Sequence, residues 1–282
     1  MALDPATILV TQILIILLVS VSYFVTWLGA REEDALLWMS GAALLTALGL
    51  TARFCLPPPA SIILSNGLIE DGGCGLWLAC RRLRRASAPA GTLALPPLLW
   101  CLLPLLPALF DDIGRRVVIA YLVLGLFFLL AAAEVWKLER DSGPLRLYIF
   151  ALLGFQTAID FVWAAYNVAL PPAGHAALVT LPGVAITDLL SLFTTLLITI
   201  GFIVLARERM VRTYRRVAML DAVTGIANRR AFDERLAELL VLAARRGTSL
   251  ALVMMDADHF KSYNDRYGHV EGDACLRSLA QS

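Results

Sequence analysis

Apolar residues run in long, almost uninterrupted stretches up to about Leu205, and charged residues become frequent only after it. Residues 7–28, 35–55, 92–110, 117–136, 145–166 and 184–206 each approach or exceed the roughly twenty apolar positions that carry a helix across a bilayer. Residues 59–80 form a weaker seventh stretch, because Glu70-Asp71-Gly72-Gly73 falls in its middle. Pro96, Pro97, Pro104 and Pro107 predict a kink in the span at 92–110, a feature that membrane helices tolerate.

After Ala206 the period changes. Within 207–220, Met210 or Val211, Tyr214, Val217 or Ala218, and then Asp221 recur at three- and four-residue steps. Such a stripe suits a short two-stranded coiled coil leaving the last span, and equally a helix lying on anionic lipid. A turn-rich stretch follows at 221–230, with Asn228 as an N-cap. Phe232, Leu236, Leu239, Leu240 and Ala243 then give one helical face, and Gly247 marks its stop. Residues 250–255, Leu-Ala-Leu-Val-Met-Met, read as a strand buried on both faces. The predicted division is a membrane region at 1–206, a linker helix at 207–220 and a cytoplasmic domain from 221 to 282.

Composition strengthens the membrane assignment. The 282 residues are 59% hydrophobic and 17% charged, with mean hydropathy +0.73, too little polar surface for a soluble globule. The five cysteines form no C-x-x-C pair, and no histidine stands at zinc spacing from them, so they read as small apolar residues. The N-terminus lacks a basic n-region and a small-residue cleavage site, so the first span is expected to be retained. The net charge of +1 is uninformative, but its placement is not. Seven crossings put Arg81, Arg82, Arg84 and Arg85, then Lys137, Arg140 and Arg146, then Arg207, Arg209, Arg212, Arg215 and Arg216 on the C-terminal side, which marks it as cytoplasmic. Arg115 and Arg116 fall on the other side. Six crossings, with 59–80 left out, keep those clusters in place and move only the N-terminus and the Arg31 loop. The uncharged-to-acidic N-terminus, without Lys or Arg, favours seven. Gln156, Asp160, Asp188 and Glu134 lie in or near spans, either as ligand or proton sensors or as interhelical hydrogen-bond partners.

Chemistry concentrates after residue 255. Asp256 and Asp258 are two apart at the end of the apolar run, so in extended backbone they share a face, a common way to hold Mg²⁺ beside a nucleotide. Lys261 can supply a point charge to phosphates, as can N–H groups in the turn at His259 and Phe260. Asn264 and Asp273 can pair with the acceptor and donor edges of guanine. Taken singly, each has a blander reading: an aspartate at a strand end caps a turn, a lysine is solvated, and His269 is structural. Their order together is the signal.

The string DADHFKSYNDRYGHVEGD resembles the D-x-D-x-F-K-x-x-N-D-x-x-G-H-x-x-G-D signature of the GGDEF diguanylate cyclase family, and DAVTGIANRRAFDERL resembles that family's opening motif. The resemblance covers residues 220–282. The apolar runs make the region before it an all-α polytopic membrane bundle of about seven spans, and the resemblance implies that the start of an α/β ferredoxin-like palm follows. It also implies an enzyme that condenses two GTP into cyclic di-GMP and two pyrophosphates. By the same resemblance, Asp256 through its carboxylate and Ala257 through its carbonyl would bind Mg²⁺ or Mn²⁺. Phe260 and Lys261 would hold GTP phosphates, Asn264 and Asp273 would read guanine, His269 would lie at the substrate site, and Asp258 would be structural. The implied partners are GTP, the lipid bilayer of a bacterial inner membrane and a second copy joined through the linker helix and catalytic domain, with no nucleic-acid polymer. Val223 replaces the usual leucine of the opening motif. The Gly-Gly-(Asp/Glu)-Glu-Phe hairpin does not occur in the 282 residues, so the catalytic residues it would supply are unknown. The sequence is expected to be a partial one whose polypeptide alone is inactive. A membrane receptor with a degenerate nucleotide domain is the alternative, although intact Asp256, Lys261, Asn264 and Asp273 speak against it. A transporter would show broken paired helices or an inverted repeat, and no repeat is evident.

Overall fold

The computed structural model describes residues 5–87, 89–138, 143–171 and 182–281. The chain divides into two compact units, Met1–Arg207 and Glu208–Ser282.

The first unit is helical. Its elements are α1 (Pro5–Gly29), α2 (Asp34–Cys55), α3 (Ala60–Leu83), α4 (Leu95–Leu102), α5 (Pro107–Phe110), α6 (Ile113–Trp136), α7 (Gly143–Ala169) and the first part of α8 (Pro182–Ala218). Among the described residues, five helices are long and apolar enough to cross a membrane: Ala6–Gly29, Asp34–Cys55, Ile113–Trp136, Gly143–Ala169 and Ile186–Arg215. Their outward leucines and valines are exposed, as on α1, where Leu14 and Leu18 keep more than half of their surface. That is the arrangement a lipid solvent favours.

The weak stretch at 59–80 is nevertheless a full helix, α3, and it lies inside the bundle. Ser65, Glu70, Asp71, Gly72, Gly73, Cys74 and Gly75 are all buried. Small residues allow this. A Cβ on Gly49 of α2 would meet Ile69 Cγ1 and the Ser65 carbonyl at 2.8 Å, and one on Gly75 would come 3.0 Å from the Ala42 side chain. Helices that cannot use the hydrophobic effect against lipid pack through such close approaches and through hydrogen bonds. Ser20 and Ser40 provide the latter: each hydroxyl donates to the other residue's carbonyl at 2.9 Å, tying α1 to α2.

The single kinked span expected at 92–110 does not form. A 3₁₀ turn at Ala90–Ala94, α4, a second 3₁₀ turn at Leu103–Leu105 and α5 replace it. Prolines sit in the first turn of α4, of the second 3₁₀ turn and of α5, where a missing N–H costs nothing; each therefore starts a new short helix instead of bending one.

Buried residues from the start of α2 (Ala35, Leu36), the end of α3 (Cys80, Leu83), the end of α6 (Val135), the start of α7 (Ile149) and α8 (Phe202, Leu205, Ala206) form one cluster. The loop at Arg31 therefore shares an end of the bundle with the ends of α3 and α6 and with Ala206. Arginines at this end lie over tryptophan rings: Arg31 on Trp27, Arg81 on Trp77, Arg82 on Trp38 and Arg146 on Trp136, at 5.3–5.9 Å. The buried Glu134 pairs with Arg81 at 3.3 Å, with Arg84, and with Lys137 at 3.8 Å. Arg140 and the first four residues, both used in the topology argument, lie outside the described residues.

In the second unit, α8 continues without interruption to Ala218. It is followed by α9 (Arg229–Arg246), α10 (Phe260–Tyr267) and α11 (His269–Ala280). The strand expected at 250–255 is absent: these residues join no ladder, and the described residues contain only an isolated bridge between Leu220 and Ala227. Val253, Met254 and Met255 are 80–95% exposed. A strand buried on both faces needs hydrogen-bonded neighbours on each side, and none is present among the described residues. The cysteines are all free, with Cys74 and Cys80 buried in the bundle.

Candidate functional site

The predicted site residues lie on a turn and two short helices. Asp256 ends the exposed apolar run, and its Oδ1 accepts the Ala257 N–H at 3.0 Å. The Ala257 carbonyl accepts from Phe260 N at 3.3 Å, closing a turn. His259 adopts a left-handed conformation (φ 59°) immediately before α10. That reversal ends the run and lets the helix begin at Phe260. Lys261 is exposed in the first turn of α10, on the side of the helix where free N–H groups favour anions.

Gly268 (φ 85°) separates α10 from α11, at a backbone conformation open to glycine and costly for most other residues. Its N–H donates to the Asn264 carbonyl at 2.8 Å, and its own carbonyl accepts from Gly272 N at 3.1 Å. The helices then fold back on each other with Asn264 against buried Gly272. A Cβ at 272 would collide with the Asn264 side chain. Asn264 Oδ1 is buried and has no hydrogen-bond partner among the described residues, an acceptor left open beside Asp273. Thus Asn264 and Asp273 are brought to facing helices. His269 starts α11 and is exposed. Asp256 and Asp258 do not share a strand face, because no strand forms there.

The donor set at Asp256 suits part of a hard-cation site. Mg²⁺ commonly takes one or two protein oxygens and completes its shell with water and substrate phosphate. An exposed carboxylate and an adjacent carbonyl are oxygens of that kind. Among the described residues, no three His, Cys, Asp or Glu side chains converge as a metal cluster.

The opening motif does more than the helix cap expected at Asn228. Asn228 Oδ1 accepts from Ala231 N at 3.1 Å, capping α9. Its Nδ2 donates to the carbonyls of Ala218 and Leu220 at 2.8 and 3.2 Å, capping the end of α8 as well. Asp221 Oδ1 accepts from Val223 N, Thr224 N and Thr224 Oγ1 at 2.8–3.1 Å. The Thr224 backbone N–H, and then its hydroxyl, hold the Asp221 carboxyl below the usual carboxylate range. Gly225 (φ 73°) closes the loop. This clasp joins two helix ends through one amide, a role that the spacing Asp221-x-x-Thr224-Gly225-x-x-Asn228 signals once Asn228 is seen to have two helix ends within reach.

Residues 218–282 match the family described as "Diguanylate cyclase, GGDEF domain". Over 64 residues the chain is 42% identical to the diguanylate cyclase VdcA of Vibrio cholerae, covering 23% of this chain and 18% of that protein. It is 42% identical over 66 residues to the diguanylate cyclase DgcP of Pseudomonas aeruginosa, covering 23% and 10%. It is 40% identical over 72 residues to the membrane protein SSP1970 of Staphylococcus saprophyticus, covering 26% and 20%. The chain thus spans a fifth or less of these relatives. No solved structure matches it. The likeness to the GGDEF domain family is confined to this C-terminal segment. In this protein that segment follows a region of apolar helices that fits a membrane sensor.

Proposed function

We propose that this protein is a membrane-bound diguanylate cyclase that condenses two GTP into cyclic di-GMP and two pyrophosphates, with its activity set by the helical bundle. The observation that carries the proposal is the unbroken signature Asp256-x-Asp258-x-Phe260-Lys261-x-x-Asn264-Asp265 on a turn leading into α10, continued by Gly268-His269 and Gly272-Asp273 on α11. Asp256 and the Ala257 carbonyl would hold Mg²⁺ or Mn²⁺. When bound, that ion would neutralise phosphate charge and lower the pKa of the attacking 3′-hydroxyl. Phe260 N–H and Lys261 bind the phosphates. Asn264, whose open Oδ1 awaits a donor, and Asp273 read guanine. His269 lies at the substrate.

Two such domains must meet for one 3′-hydroxyl to attack the other nucleotide's α-phosphate. The linker supports pairing of two copies: on α8, Val211 and Tyr214 keep about half or more of their surface exposed, at the spacing of a coiled-coil seam. The domains are the sensor at 1–206, the linker at 207–220 and the catalytic segment from 221. The placement of the Arg31 loop with the other arginine clusters supports seven crossings, with the C-terminal segment in the cytoplasm of a bacterial inner membrane. The 282 residues do not include the GGDEF hairpin, and among the described residues no strand flanks 250–255. The test is turnover of GTP by the product of the source gene, with Asp256→Asn as the variant. Loss of turnover in the variant supports the metal assignment, and normal turnover removes it.

A further inference from the structure

The ends of α3 and α6 gather cations round a single carboxylate. Glu134 of α6 is buried, and it pairs with Arg81 at 3.3 Å, with Lys137 at 3.8 Å and with Arg84. These three distances bring three cations to one point. Arg82 and Arg85, in the same stretch of chain, are exposed and join no carboxylate among the described residues. One acid therefore stands against five cations. The ion pairs satisfy Glu134 and leave an excess of positive charge at the surface, which cyclase chemistry does not use.

Several of these cations are fixed by the fold. Arg81 Nε donates to the Ser87 carbonyl at 2.7 Å. Arg82 lies over Trp38 of α2 at 5.6 Å, and a guanidinium that meets a ring through its face keeps its N–H edge for an acceptor. Arg85 adopts a left-handed conformation (φ 56°), the one that glycine usually supplies where a helix ends. Its N–H donates to the Arg82 carbonyl at 2.8 Å, and Ala86 N donates to the Arg81 carbonyl at 3.0 Å. This turn closes α3 and keeps four arginines within five consecutive residues. The α1–α2 loop at the same end carries Glu32, Glu33 and Asp34, and among the described residues none of them is ion-paired with these arginines. The excess is thus local to the ends of α3 and α6. Beside it, Trp136 of α6 is half exposed, with Arg146 of α7 over its ring at 5.3 Å.

We propose that this patch binds the phosphate of an anionic phospholipid in the leaflet at this end of the bundle. A phosphodiester offers charged acceptor oxygens and no donor, the complement of guanidinium forks and an ammonium group. A zwitterionic headgroup brings its own cation and leaves the excess uncompensated. Lipid suits the patch better than a soluble anion because the cations stand where outward apolar helix surface ends. An acyl chain can lie along that surface, and a half-exposed tryptophan such as Trp136 marks the headgroup level. The proposal rests on the membrane reading of the bundle and is independent of the cyclase reading.

The test is binding of phosphatidylglycerol, labelled on an acyl chain, to the full 282-residue chain in nonionic detergent micelles at neutral pH, followed by fluorescence anisotropy. Unlabelled phosphatidylglycerol, phosphatidylcholine and sodium phosphate serve as competitors. Saturable binding is expected that only phosphatidylglycerol displaces. Arg85→Gln should weaken it several-fold, and Arg82→Gln with Arg85→Gln by about tenfold or more. Arg115→Gln removes one charge at the start of α6 and should leave binding unchanged. If the double variant is not monodisperse, Lys137→Gln, at a half-exposed side chain, replaces it with several-fold weakening expected. Equal displacement by phosphatidylcholine, unchanged binding in the α3 variants, or an equal loss with Arg115→Gln would overturn the proposal. Displacement by sodium phosphate would overturn it too, by making the patch a soluble-anion site. A chain that stays monodisperse without detergent would remove the membrane reading, and the proposal with it.

Discussion

The two units expose apolar surface in opposite ways. In the membrane unit, leucines and valines face outward along whole helices while Glu70, Asp160 and Asn167 are buried. In the C-terminal unit, exposure peaks in one short run, Val253-Met254-Met255, between helices of ordinary polar character. The first pattern is continuous along helices of membrane length, so lipid covers it. The second lasts only a few residues, and the proposed palm would cover it with sheet neighbours. Exposed apolar residues therefore name their missing partner by the length and period over which they recur.

That contrast can be broken most sharply at Val253. In a chain carrying the whole proposed palm, where the run would pair within a sheet, Val253→Lys should cost about 3 kcal/mol or more, because a charge would be buried unpaired. In the 282-residue chain the same change should leave thermal unfolding unchanged. Equal effects in both would remove the sheet assignment.

The membrane unit offers the converse case, a buried charge. Glu134→Ala would leave Arg81, Arg84 and Lys137 facing one another at one end of the bundle. Breaking a fully buried pair costs about 3–5 kcal/mol, and partial exposure of the arginines reduces this to about 2. Thermal unfolding in nanodiscs measures it, and an unchanged midpoint would show that water already screens the cluster.

A smaller effect is expected at Gly272. Gly272→Ala should push Asn264 off its position at a cost of about 1–2 kcal/mol. In the source gene's product it should also raise the KM for GTP more than it lowers kcat. A change confined to stability would detach Asn264 from substrate reading.

The smallest effect is one of pH. The Asp221 carboxyl is held below its unfolded value by Thr224. Its contribution to the clasp is therefore complete above the ordinary carboxylate range and is lost as pH falls through the depressed value. Amide exchange at Thr224 and Val223 should accelerate with acid beyond the intrinsic rate. Exchange that does not accelerate, or that already matches the Asp221→Ala variant at neutral pH, would show that the carboxylate does not hold the loop.

Much of this was legible in the chain itself, for physical reasons. Long apolar runs have one stable solution in lipid, so α1, α2, α6, α7 and α8 follow from hydropathy. Asn228 and Gly247 bound α9 as their capping chemistry requires. The burial of α3 was not legible, because its glycines and acids read as a weak span until α2, α4 and α6 surround them. In the 92–110 stretch a kink and a break share one signal, several prolines, so the sequence alone does not separate them. The strand at 250–255 was read from a local pattern, whereas a strand exists only through its neighbours. The site residues were visible as an ordered string. The open oxygen of Asn264 over Gly272 needed packing to appear.

The proposed role of the segment after α8 is to bind nucleotide in a cyclase. The most direct test incubates GTP and Mg²⁺ with the source gene's product in nanodiscs, and follows cyclic di-GMP for the wild type and for Asp256→Asn. Product is expected from the wild type and only background from the variant. No product from the wild type, or equal product from both, would contradict it.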